Sequence, residues 1–111
     1  MAATTILLVC SGFVILASDQ GQRKPVDNVS LTIDLRVGRV SGFSKGTIEN
    51  TGTPGQIGWI DHDCRDLSAV GAFDRASGET HAGVCSQRAG DGDRPGLDYY
   101  EMVCVPSPRR F

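Results

Sequence analysis

The chain has 111 residues, with 11 basic side chains against 13 acidic ones and a formal charge of −2. That length suits one domain, and the scattered, near-balanced charge excludes the concentrated positive face that nucleic-acid binding needs. The longest basic cluster is Arg109-Arg110, and no basic amphipathic segment is present to carry a membrane-surface role.

In chain order, Met1 to Ser18 hold no charged side chain, and the first charge is Asp19. The apolar block Ile6 to Leu16 has the length of a signal-peptide core, about 7–15 residues. It falls short of the roughly 20 apolar residues that cross a bilayer as a helix. Residues 1–18 are therefore read as a cleaved signal peptide. The alternative is a retained N-terminal anchor helix, because no Lys or Arg precedes the block and Ile15 or Leu16 sits where cleavage wants a small residue. An ordinary buried strand or helix is the bland reading of the same residues. Export to the periplasm or beyond is the localisation adopted, with inner-membrane anchoring as its alternative and membrane contact only through residues 1–18.

Residues 19–27 read as a flexible polar lead, and 28–111 as a small β domain. The composition includes 14 Gly and 5 Pro, which favours short strands joined by turns over long helices. Val29, Leu31, Ile33 and Leu35 alternate with Ser30, Thr32, Asp34 and Arg36, the two-residue period of a half-buried strand. Further strands are predicted over 39–43, 47–50, 56–60, 67–73, 79–85 and 97–105. Turns fall at Gly38, Lys45-Gly46, the Thr51 to Gly55 loop, and Asp74-Arg75-Ala76-Ser77-Gly78, where Gly78 is available for a left-handed position. The fold predicted is all-β, an antiparallel meander of six to seven short strands forming a curved sheet or a small barrel, behind the N-terminal helix. Trp59, beside Ile57 and Ile60, is expected in the core.

Removal of the leader would leave Cys64, Cys85 and Cys104, so one bridge and one spare thiol are expected in an oxidising compartment. Cys85 and Cys104 each end a strand and are the first pair considered; Cys64–Cys104 is the alternative. The spare thiol would permit a disulfide-linked dimer. The cluster Asp61-His62-Asp63-Cys64-Arg65-Asp66 contains metal-ligand types in Asp61, His62, Asp63 and Cys64. Adjacent residues in an extended loop point apart, however, so the preferred reading is a solvated turn in which Asp61 or Asp63 bonds backbone amides. No cofactor is assigned.

Three other motifs are set aside. Asp91-Gly92-Asp93 fails the EF-hand spacing. Gly42-Phe43-Ser44-Lys45-Gly46 matches a nucleophile elbow, but that device needs a following helix and a large parallel sheet. Asn28-Val29-Ser30 is a glycosylation sequon, meaningful only in a eukaryotic secretory route.

Three stretches resemble a group of short exported proteins of rhizobia and related α-proteobacteria. They are Leu31 to Phe43, Gly71 to Gly78 with its Asp74-Arg75-Ala76-Ser77-Gly78 turn, and the C-terminus with Tyr100, Met102, Cys104, Pro106, Arg109 and Phe111. The resemblance implies an exported β-rich domain and no particular activity. Members often carry a Cys just after the leader, whereas this chain has Ser18-Asp19-Gln20-Gly21 there. The expected function is a binding or interaction module without catalysis; an envelope-anchored structural protein is the alternative, and metal binding through residues 61–66 a third reading.

Overall fold

Strands with one apolar face must both complete their hydrogen-bond ladders and cover that face, and a sheet closed on itself achieves both at once. The computed structural model describes residues 5–16, 22–50, 55–64, 69–86 and 96–107. Among them lie eight strands and no helix: β1 (Thr5–Ile15), β2 (Arg23–Asp34), β3 (Arg39–Gly42), β4 (Gly46–Asn50), β5 (Gln56–Ile60), β6 (Val70–Asp74), β7 (Glu79–Ser86) and β8 (Gly96–Pro106). Each strand pairs antiparallel with the next, and β8 returns to β1, closing an up-and-down barrel. Seven of the strands coincide with the sequence expectation to within a few residues, apart from the earlier start of β2.

The N-terminal segment corrects that expectation. Among the described residues no signal or anchor helix is present: Thr5–Ile15 is a barrel strand paired on one side with β2 and on the other with β8. The physical reason is alternation hidden inside an apolar run. Leu8, Cys10 and Val14 are buried while Leu7 and Phe13 are exposed, so the strand is two-faced although both faces are apolar. Arg23 to Val26, within the expected lead, pair with β1. No helix among the described residues is long and apolar enough to cross a membrane. A spanning barrel needs about 9–11 residues per strand, whereas β3 to β6 have four or five.

A bulge sets the register of the long β1–β2 pair. It lies between Cys10 and Gly12, where Asn28 adopts a left-handed φ of 56° and its N–H donates to Ser11 Oγ at 3.2 Å. Asn tolerates this conformation better than most residues. The extra residue resets the alternation, so Val26 and Val29 both pack against the core despite their odd spacing.

Two hairpins use one device. In Asp34 to Gly38 and again in Asp74 to Gly78, the Asp carboxylate accepts the next two available N–H groups. The glycine N–H then bonds the Asp carbonyl, at 2.9 Å and 2.8 Å. Both glycines have φ near +80°, a conformation that other residues adopt at a cost.

The barrel interior is filled. Leu31, Ile33, Trp59, Thr80 and Cys10 are fully buried, and Phe43 packs on Tyr100 with ring centroids 5.0 Å apart. The Trp59 indole lies against Gly71, its cross-strand partner, where a side-chain carbon would collide with the ring. Trp59 Nε1–H donates to buried Ser44 Oγ at 2.9 Å, so the serine of the apparent nucleophile elbow is a hydrogen-bond partner of the core.

The cysteine pairing also departs from expectation. Cys104 is bonded to Cys10, directly opposite it across β1–β8, and Cys85 is bonded to Cys64. Neither Cys85–Cys104 nor Cys64–Cys104 forms, because the expectation left Cys10 out, and Cys10 lies in β1 directly across from Cys104. With all four cysteines bridged, the spare thiol on which a disulfide-linked dimer rested is gone.

Three outcomes follow from this packing. Replacing Cys10 and Cys104 together by Ser removes a cross-link spanning 94 residues and is expected to cost about 4–5 kcal/mol by loop closure, read from urea unfolding. Deleting residues 1–18 is expected to abolish cooperative unfolding. Gly71→Ala is expected to destabilise by about 1–3 kcal/mol through overpacking, with an altered Trp59 emission.

Candidate functional site

The barrel wall is lopsided. β1, β2 and β8 run 11 or 12 residues, and β3 to β6 only four or five. Where β2 meets the short side, outward positions of three neighbouring strands are polar: Thr32 and Asp34 of β2, Ser41 and Arg39 of β3, and Thr47 of β4. Register places Thr32 beside Ser41, Asp34 beside Arg39, and Arg39 beside Thr47. The turn residue Lys45 and the segment Asp61-His62-Asp63 after β5 close this face into a cleft of about 510 Å³.

The wall of the cleft is held from inside. Ser44, anchored by the Trp59 indole, fixes the β3–β4 turn that carries Lys45. Asp61 donates its N–H to Ala69 O at 2.9 Å, and its Oδ1 accepts the Asp63 N–H at 3.0 Å. The expected backbone-bonding turn is therefore present. Asp61 is buried, whereas His62 and Asp63 are exposed. Lys45 meets Asp63 at 3.5 Å and His62 meets Glu49 at 3.5 Å, both between largely exposed side chains, so each contributes at most about 1 kcal/mol. Arg39 makes no ion pair with a described residue; register sets it between Asp34 and Thr47, with Thr32 and Ser41 lining the same cleft.

A second cleft, of about 280 Å³, adjoins the first and shares Lys45, Asp61 and Asp63 with it. Phe43, Val84, Cys64 and Cys85 complete its lining.

Of the candidate metal ligands, the structure brings Asp61, His62 and Asp63 to one cleft and withdraws Cys64 into a disulfide with Cys85. A bridged sulfur is not a thiolate ligand. Among the described residues no group of three His, Cys, Asp or Glu side chains is placed to hold a metal ion. His81 lies elsewhere, on β7, its Nδ1 3.2 Å from Tyr99 Oη. Residues 65–66, Asp91 to Asp93 and Arg109 to Phe111 lie outside the described residues. The sequence reading missed Thr32, Arg39, Ser41 and Thr47, whose only local signal is the polar half of the strand alternation.

Next round the wall from β2, the outer face of β1 and β8 is apolar. Leu7, Phe13, Tyr99, Val103 and Val105 are all exposed, and Arg23 sits over the Phe13 ring at 4.7 Å while meeting Glu101 at 3.7 Å.

The fold and its bridges define a small, closed, disulfide-bonded antiparallel barrel. Comparison with known proteins adds no relative: no family model matches the chain, and neither does a curated protein or a solved structure.

Tyr100 supplies a pH test of the packed end of the barrel. Burial, aided by the negative charge of Asp98, pushes its phenol above the ordinary value of 10.0. The fold favours the neutral phenol, so this contribution is intact below pH 10.0 and is lost as pH rises toward the folded-state value. Tyr100→Phe is expected to remove that alkaline decline in unfolding midpoint while leaving the midpoint's dependence on acid unchanged.

Proposed function

We propose that this chain is a non-catalytic binding module that works in an oxidising compartment outside the cytoplasm and takes a small polar ligand in the β2–β3–β4 cleft. One observation carries the reading: buried side chains occupy the barrel interior, while the polar cleft on its outer wall gathers Arg39, Lys45, His62, three hydroxyl groups and the carboxylates of Asp34, Asp61 and Asp63. A planar guanidinium beside hydroxyl donors suits carboxylate or hydroxyl-rich ligands. Two intrachain bridges support the oxidising setting. The resemblance to exported rhizobial proteins agrees with delivery to the periplasm or beyond.

The apolar β1–β8 wall favours a second reading, an envelope-associated structural protein that uses this face against a partner. Exposed apolar side chains gathered on one face are the usual mark of an interaction surface.

The two readings separate in one experiment. Amide spectra of the full chain are recorded with a panel of sugars, amino acids and organic acids. The binding reading expects perturbations at Thr32, Ser41 and Thr47 that Arg39→Ala reduces at least tenfold in affinity. Chemical conversion of any panel member would overturn the non-catalytic assignment. A silent cleft, together with self-association that Val103→Ser and Val105→Ser abolish, would favour the structural reading.

A further inference from the structure

The two disulfides occupy different surroundings. Cys10 and Cys104 lie within the barrel seam, 0% and 3% exposed, joined by ladder pairing on both sides. Cys64 and Cys85 line the 280 Å³ surface cleft; Cys104 also borders a cleft, beside the Asp74 to Gly78 turn, so the difference between the bridges lies in Cys85, the least buried of the four cysteines. Cys64 is 8% exposed and Cys85 half-buried. The first bridge fastens two strands that already share a full ladder. The second fastens a segment with few other ties: the described ones are the Asp61–Ala69 backbone bond, the Asp61 turn, and the exposed pairs Lys45–Asp63 and His62–Glu49.

We propose that Cys64–Cys85 is a thiol–disulfide exchange site, opened by a dithiol reductant while Cys10–Cys104 stays closed, and that its opening frees the segment carrying Asp61, His62 and Asp63. The reductant thiolate attacks the sulfur of Cys85, the more exposed residue of the pair. The sulfur–sulfur bond breaks, a mixed disulfide forms on Cys85, and Cys64 leaves as a thiolate that takes up a proton. The second thiol of the reductant then displaces Cys85, which leaves likewise. The bridge gains two electrons and two protons, and the dithiol becomes a disulfide. Lys45, in the same cleft, stabilises the departing Cys64 thiolate; Asp61 and Asp63 oppose it, so the gain in rate comes chiefly from access. Because the freed segment forms one side of the larger cleft, opening the bridge also dismantles that site. Only this consequence rests on the binding reading; the exchange chemistry does not.

The full native chain is treated with stepped dithiothreitol without denaturant, trapped with iodoacetamide and mapped by peptide mass. Cys64 and Cys85 are expected to alkylate at a reductant concentration at least tenfold below that needed for Cys10 and Cys104, with Trp59 emission unchanged at the first step. Simultaneous reduction, reversed order, or a Trp59 change at the first step would overturn the proposal. The double variant Cys64→Ser, Cys85→Ser is expected to fold, with amide exchange at Asp61 and Asp63 at least tenfold faster and that of Ile33 and Trp59 unchanged. Failure of that variant to fold would show the bridge to be structural and defeat the idea. An empty ligand panel bears on the binding reading alone and leaves the order of reduction to decide this one.

Discussion

Closure of the barrel by β1 is the constraint from which the rest of the structure follows. Without it, β2 and β8 would each present a row of unpaired amides and carbonyls to water, and the faces of Leu31, Ile33 and Met102 would lose the strand that covers them. β1 supplies both needs at once, hydrogen-bonding on its two edges and burying Leu8, Cys10 and Val14. Cys10–Cys104 then ties the first strand to the last across a separation of 94 residues. Closure entropy on that scale is of the same order as the net stability of a small domain, which suits a core this modest in size.

The same closure makes the wall unequal. Long strands β1, β2 and β8 form one side, and short strands β3 to β6 form the other. The long side carries apolar residues outward as well as inward, while the short side carries Arg39, Ser41, Thr47 and their neighbours. Trp59 joins inside to outside: its ring rests on Gly71 within the barrel, and its N–H holds Ser44 at the turn that bears Lys45. The polar cleft is thus built on core residues, and the segment from Asp61 to Asp63 forms one side of it. The disulfides divide along the same line, one within the seam and one at the rim.

Much of the sheet was legible in the residues. The period of two at Val29 to Leu35, the Asp74 to Gly78 turn and the Tyr100, Met102, Cys104 face each reappear in the structure, because a half-buried strand writes its two environments into alternate positions. β1 was illegible for the complementary reason. Both its faces are apolar, one packed in the core and one on the outer wall, so no alternation of polarity marks it, and an uninterrupted apolar run looks like an export segment. That single misreading carried the disulfides with it, since excluding Cys10 forces an odd count. The start of β2 was hidden by the bulge at Asn28, which breaks the alternation where two registers meet.

For the candidate site, the sequence singled out Asp61, His62 and Asp63 because chemistry-bearing types cluster there in the chain, and their backbone-bonding turn was anticipated. Arg39, Thr32, Ser41 and Thr47 drew no notice, since each is an ordinary polar position on its own strand. By itself the chain determined the class of its elements, the places where they turn and most of the core, all of which depend on local patterning and backbone preference. Tertiary structure alone decided which apolar segment closes the barrel, which cysteines meet and which side chains share a cleft. Those are matters of adjacency between strands distant in sequence, and no local pattern encodes them.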